Sequence, residues 1–340
     1  MKTKDFILLI FLLATAGALT VFSPQAKSGA YDGLLLAEGT IIPSLTPLLI
    51  IFLIVMKTGA KDALAKLFGS FCRRVFNLPS VCLPAILLGL IGGYPTGALL
   101  TKELFDNEEI DNNQAKRMMC FNFCGGCGFI ITAVGVCTLG SKRAGFVLFF
   151  SNVIASLIIG IALSFTQKRI KAEFYSYTCA SNPGDILSKA VGSAVNSVLN
   201  ITAFIILFSA IRNIFKVPDI LLPLIEITSG ICAKSRYSLA LTSAFLSFGG
   251  LCIHFQIFDI LKQFKMKYFD FLLFRLLSAG LSYLVTQVLL LLFPVDLSVF
   301  SNGSTPVELS SVNIGLSVLM ILGCFVSILD ISSRRVTGNN

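Results

Sequence analysis

The sequence predicts an all-α polytopic membrane protein with about eight transmembrane helices and two re-entrant hairpins set in an inverted repeat. Three observations predict it. Of 340 residues, 55% are hydrophobic and 13% charged, whereas soluble domains carry roughly 25% charged residues. The mean hydropathy is +0.85. Apolar windows of about 20 residues, the length that crosses hydrocarbon, recur along the chain. The net charge of +9 fits basic cytoplasmic loops and gives no reason to invoke nucleic acid.

Residues 1–30 read as a first transmembrane helix and an outer loop. Lys2 and Lys4 precede an apolar run from Phe6 to Phe22, with Ala14-Thr15-Ala16 near its end. A signal peptide looks like this, but the run is long for one and many spans follow, so it reads as an uncleaved helix. Further spans are expected at 34–56, 118–140, 144–165, 190–214, 240–261, 268–293 and 310–329. Between the first two of these, 57–77 is basic with interspersed apolar residues and reads as an interfacial helix on the cytoplasmic leaflet.

Two segments are poor single spans. In 79–105, Gly92-Gly93-Tyr94-Pro95-Thr96-Gly97 interrupts an apolar run. Proline removes a backbone donor and glycine favours other conformations, so a regular helix stops here. In 217–236, two prolines, Glu226 and Thr228-Ser229-Gly230 do the same. Broken backbone at membrane depth survives only where protein or a watery cavity covers it. A proline kink that only aids packing is the plainer reading. With both segments as hairpins and the N-terminus inside, 19 Lys and Arg face the cytoplasm and 7 face outward. If both cross, the split is 16 to 10, which fits the positive-inside bias less well.

The hairpin topology has both termini cytoplasmic. It gives a first repeat at 31–166, a cytoplasmic linker at 167–188 and a second repeat at 189–293. Residues 294–340 hold an outer loop, the last helix and a polar tail. Each repeat has three crossings, so the two lie in opposite orientations, an architecture shared by many secondary transporters. A Gly-Gly pair follows each hairpin, Gly125-Gly126 and Gly249-Gly250.

The residues with chemical potential cluster at these breaks. Glu226 is a carboxylate at membrane depth, where such groups line pathways or pair; a glutamate at the aqueous interface is the alternative. Tip residues Gly93, Tyr94, Thr96, Gly97, Thr228 and Ser229 offer backbone amides and hydroxyls to a solute or ion. Asn122 and Gln256 flank Gly125, Gly126 and Gly249, Gly250, with His254 beside them. Buried amides recognise polar solutes and a histidine relays protons, though a lone polar residue in such a helix more often bonds a neighbouring helix. Lys102-Glu103 and Asp106 to Glu109 read as a solvated charged face, with Lys102 and Asp106 spaced to pair. The cysteines, mostly within apolar segments, act as small hydrophobes, and Cys124-Gly-Gly-Cys127 lacks a partner pair for a metal.

Gly92-Gly93-Tyr94-Pro95-Thr96-Gly97-Ala98 with Leu100-Thr101-Lys102-Glu103-Leu104 resembles the Gly-Tyr-Pro-x-Gly-Ala motif of the YlbJ-type sporulation integral membrane proteins. Phe248 to Gln256 is similar to that family's second glycine motif, and Gly33 to Leu45 to its first region. The resemblance covers about residues 30 to 290. It implies a multi-pass protein of the bacterial cell (inner) membrane, active in spore formation, in the nucleoside recognition or Gate-domain group. That group is distantly similar to concentrative nucleoside transporters, whose hairpin tips carry Gln, Thr and Glu. Here Tyr94-Pro95-Thr96 has neither carboxylate nor amide, and only Glu226 resembles the pattern.

The expected function is a secondary transporter or permease of a small polar solute, with alternating access between the repeats. Its partners are the lipid bilayer and the solute; coupling to Na+ or H+ is open, and no cofactor or metal is expected. A non-transporting scaffold or signalling partner in spore formation is the alternative. No nucleophile elbow or phosphate loop is present, and an enzyme is not expected.

Overall fold

A computed structural model describes residues 3–166, 183–215, 217–232 and 237–295, and every regular element among them is helical. Helix α1 (Thr3–Val21) is followed by α2 (Ser23–Leu36), a short π-helix (Ala37–Ile41) and α3 (Ile42–Met56). Five of the described helices are long and apolar enough to cross a membrane: Ser23–Met56, Lys142–Ser164, Gly184–Phe215, Leu239–Gln256 and Tyr268–Leu292. The expected span at 310–329 and most of the expected linker lie outside the described residues.

The polar stretch 23–33, expected as outer loop, is helical instead. Its reason is α9 (Pro183–Phe215), which packs antiparallel along α2 and α3. A methyl group on Gly29 or Gly33 would strike Ser209, so only glycine admits this approach. Asn213 donates to the Gln25 carbonyl at 2.9 Å, and Arg212 lies 3.9 Å from Asp32.

Helix α4 (Gly59–Phe76) matches the interfacial expectation: Leu67, Phe68 and Phe71 are exposed on one side. Its other side is not a plain solvated face. Lys61 is fully buried and donates to both carboxylate oxygens of Glu109, at 2.5 and 2.6 Å. Arg117 donates to the carbonyls of Phe76 (2.5 Å) and Asn77 (3.0 Å), satisfying the end of α4. Unpaired helix-end carbonyls need such partners when buried. The charged face expected at 102–109 is therefore partly structural. Lys102 does pair with Asp106, and Lys57 pairs with Glu103.

The segment 79–105 forms two antiparallel helices, α5 (Cys82–Gly92) and α6 (Thr96–Asp106), joined by Gly93-Tyr94-Pro95 with a cis Tyr94–Pro95 bond. Each has 11 residues, or about 16 Å of helix, half the depth of a bilayer core. The span expected at 118–140 is instead broken. Helix α7 (Asn112–Phe121), opened by an Asp111–Gln114 capping box, ends at Asn122. The chain runs unwound past Gly125-Gly126 and resumes as a π-helix (Gly128–Thr138). The break is held open by the α5–α6 turn, which lies directly on the two glycines.

Helix α8 (Lys142–Ser164) is continuous. In the second half of the chain, α10 (Leu222–Ile225) and α11 (Ile227–Cys232) meet at Glu226. The span expected at 240–261 is also broken: α12 (Leu239–Phe248) ends at Gly249, whose φ of 90° no ordinary side chain tolerates. Then follow α13 (Gly250–Gln256), α14 (Phe258–Gln263) and the long α15 (Tyr268–Leu292). A polar seam joins α8, α12 and α15. Asn152 donates to Ser243 at 3.0 Å, and the hydroxyl pairs Ser243–Ser282 and Ser247–Ser278 are each 2.6 Å apart. Small hydroxyl residues allow membrane helices to approach closely and bond across the gap.

Helix α3 packs on α9, and α8 on α15. Gly97 is among the most tightly packed glycines of the first half, since a methyl group there would collide with the Asn122 carbonyl oxygen. Gly97→Ala is expected to destabilise the protein by about 1–3 kcal/mol. Gly280→Ala, in the same class of element but with open space around it, leaves stability unchanged or raised, since glycine is the poorer helix former. Thermal unfolding of the two variants in detergent checks this pair.

Candidate functional site

Each helical turn at a break seats on the Gly-Gly pair that follows it. In the first half, Gly93 lies against the backbone of Gly125 and Gly126, so close that a methyl group on Gly93 would overlap the Gly126 nitrogen. The Tyr94 amide donates to the Cys124 carbonyl at 2.8 Å. In the second half, Gly250 lies against Pro223, Ile225 and Ile227, the residues around Glu226. The two halves also touch. The Tyr94 ring passes over Gly249, its Cε1 lying 3.6 Å from where a methyl group would stand there. Its hydroxyl donates to the Leu246 carbonyl at 3.3 Å.

A cavity of about 70 Å³ opens where these parts meet. From the first half it takes Ile41, Ser44, Leu45, Leu48, Ile91, Gly92, Tyr94, Gly126, Gly128 and Phe129. The second half supplies Ile201, Ile205, Glu226, Thr228, Cys252, Ile253 and Gln256. Most of the wall is apolar, with a few convergent polar groups, the usual make-up of a small-molecule site.

Glu226 is 2% exposed. Its carboxylate accepts from the Thr228 amide at 2.9 Å, the Ser229 amide at 2.6 Å and the Ser229 hydroxyl. It therefore caps its own following helix and neutralises those amides. Among the described residues no Lys or Arg pairs with it. The α11 amides expected to face a solute are thus already occupied.

Of the residues singled out from the sequence, Tyr94, Gly126, Glu226, Thr228 and Gln256 line the cavity. Gly93, Gly125, Gly249 and Gly250 form the close-packed floor beneath the two turns. Ser229 serves Glu226. Asn122 does not face the cavity; its amide nitrogen donates to Ala85 (3.0 Å) and Gly97 (3.3 Å), pinning α5 and α6 together. Thr96 and Gly97 are buried in that same lock. His254 also stands apart, bonded to the Tyr268 hydroxyl and the Phe248 carbonyl, both at 2.9 Å. That environment makes it a packing residue rather than a proton relay lining the cavity.

The sequence reading passed over Arg275. It is fully buried in α15 and donates to the carbonyls of Cys120 and Phe123, where α7 unwinds. Its guanidinium lies 4.8 Å from the Phe123 ring centre and 5.4 Å from that of Phe271. A cation within a predicted span was the available signal, and its partners proved to be carbonyls rather than a carboxylate. Ser44 lay within the stretch matched to the family's first region but was not singled out, and Ile201 and Ile205 carried no signal at all.

Among known proteins, the chain is similar to the "Sporulation integral membrane protein YlbJ" of Bacillus subtilis (strain 168). The two are 27% identical over 338 residues, covering 84% of this chain and 82% of that protein. No protein-family model matches the chain, and no solved structure matches it. The similarity bears out the YlbJ-type resemblance and, with the five apolar helices, gives a multi-pass helical membrane protein.

Arg275→Met should leave two buried carbonyls unpaired, at a cost of about 3 kcal/mol or more. Arg275→Lys should recover only part of it, because an ammonium cannot stack as a guanidinium plane does between two rings. Denaturant or thermal unfolding of the purified variants reads both.

Proposed function

From its likeness to the YlbJ-type membrane proteins, we propose that this chain is a permease for a small solute in the membrane of a spore-forming bacterium, acting during spore formation. The observation that carries the reading is the cavity. It is built from both halves of the chain, at the place where two broken elements meet. Transporters with inverted repeats bind their solutes at such a junction.

Three further features support it. The 11-residue helices α5 and α6 have the length of a re-entrant hairpin rather than two spans. The shorter α10–α11 pair occupies the corresponding place in the second half. The packing of α3 on α9 and of α8 on α15 is compatible with a two-fold relation between repeats. In this reading the repeats rock about the cavity and expose it to each side in turn.

The cavity's size narrows the solute. A cavity of about 70 Å³ holds more than a single water and admits a small solute.

Proteoliposome uptake tests the proposal, using a panel of small amines, amino acids, nucleobases and nucleosides, with and without Na+ or proton gradients. Saturable uptake of one class is expected. Ile205→Phe, which fills the cavity from α9 without touching a hydrogen bond, should lower that uptake by more than about tenfold while the protein stays folded. Folded protein that moves no solute, and whose melting temperature no solute shifts, would overturn the permease reading in favour of a scaffold.

A further inference from the structure

The cavity's polar wall holds open hydrogen-bond acceptors. Glu226 Oε2 takes two donors from Ser229, but Oε1 takes only the Thr228 amide. A carboxylate oxygen has two lone pairs, so Oε1 keeps one in reserve. Gln256 also lines the cavity, and its carbonyl oxygen is buried without a partner. The Ser44 hydroxyl gives its proton to the Thr40 carbonyl at 2.5 Å, leaving its lone pairs toward whatever the cavity holds. No Lys, Arg or His lines the cavity. The one nearby histidine has both ring nitrogens engaged elsewhere.

Among the described residues no basic side chain pairs with Glu226, and its Oε1 and the Gln256 carbonyl oxygen stay open to a donor. An anion entering the cavity would find the Thr228 and Ser229 amides of the Glu226 turn already serving Glu226. A positive charge would meet the unpartnered Gln256 carbonyl oxygen and the spare lone pair of Glu226 Oε1.

We propose that the cavity binds a small monovalent cation, either a metal ion or a protonated primary amine, with Glu226 and Gln256 as its acceptors. This inference rests on the permease reading for its purpose but not for its chemistry, since the site exists whether or not the chain transports.

The test uses the full chain, purified in detergent with N-methylglucamine as the only cation, too large for the cavity. Na+, K+, ammonium and methylammonium are each titrated, with N-methylglucamine succinate and phosphate as anionic controls. A saturable rise in melting temperature with one or more small cations is expected, and none with the anions. Na+ or K+ against methylammonium separates the metal ion from the amine. Glu226→Gln should weaken the cation's apparent affinity by about tenfold or more. Because Glu226 also caps α11, the decisive variant is Gln256→Met, which keeps that cap and the residue's shape; it should weaken affinity by about threefold or more. Stabilisation by succinate or phosphate, no response to any small cation, or a cation response unchanged in both variants would each overturn the inference. Tracer flux in proteoliposomes separates the two proposals. Cation binding without flux sustains this site and overturns the permease. Uptake of a neutral solute, indifferent to cations and to Gln256→Met, overturns this site and leaves the permease.

Discussion

A helix that stops inside a membrane leaves amides and carbonyls that lipid cannot satisfy, and the organisation of this protein follows from where those groups find partners. The first break gives the Tyr94 amide to the Cys124 carbonyl. The second, at the end of α7, gives the carbonyls of Cys120 and Phe123 to Arg275. At the third, the amides of Thr228 and Ser229 go to Glu226. Each solution draws on a different element, so the breaks hold the helices together as much as the helices hold the breaks. Arg275 makes the point best: α15, late in the chain, completes an end of α7 about 150 residues earlier.

Much of this was legible in the residues and some was not, for physical reasons. Gly92 to Gly97 announced a break because proline and glycine act locally, whatever the fold. Glu226 stood out because a carboxylate in an apolar run demands an explanation. Gly125-Gly126 and Gly249-Gly250 were visible as pairs, but that both would unwind their helices depended on a turn from elsewhere pressing on them. The spans 118–140 and 240–261 looked continuous for that reason. Residues 23–33 looked like a loop because Pro24, Lys27, Gly29 and Asp32 suit one; only the approach of α9 to Gly29 and Gly33 makes helix the better state. The serine seam was half-written, since Ser243 and Ser247, and Ser278 and Ser282, each sit four apart. Leu45, Ile201 and Ile205 could not be told from lipid-facing residues, because in a membrane protein apolar character marks both surface and interior.

The charged residues divide in a similar way. Lys102 and Asp106 pair on one helix, as their spacing suggested. Glu109 and Lys61 lie 48 residues apart in the chain and meet in the interior. A buried pair of this kind contributes little net stability against an apolar alternative, yet losing one member leaves a bare charge. What it supplies is placement: α4 is fixed against the base of the α5–α6 pair, and Arg117 fixes the other end of α4 through Phe76 and Asn77.

The Tyr94 ring resting over Gly249 has a mechanical consequence. Packed side chains usually interlock, and one helix moves past another only by lifting knobs out of holes. Here the edges of two aromatic rings, Tyr94 and Phe123, tilted to each other with centres 5.3 Å apart, both meet bare backbone at Gly249. Nothing protrudes from the glycine for the ring to climb. The contact is smooth at the glycine and pinned at one point, where the Tyr94 hydroxyl meets the Leu246 carbonyl.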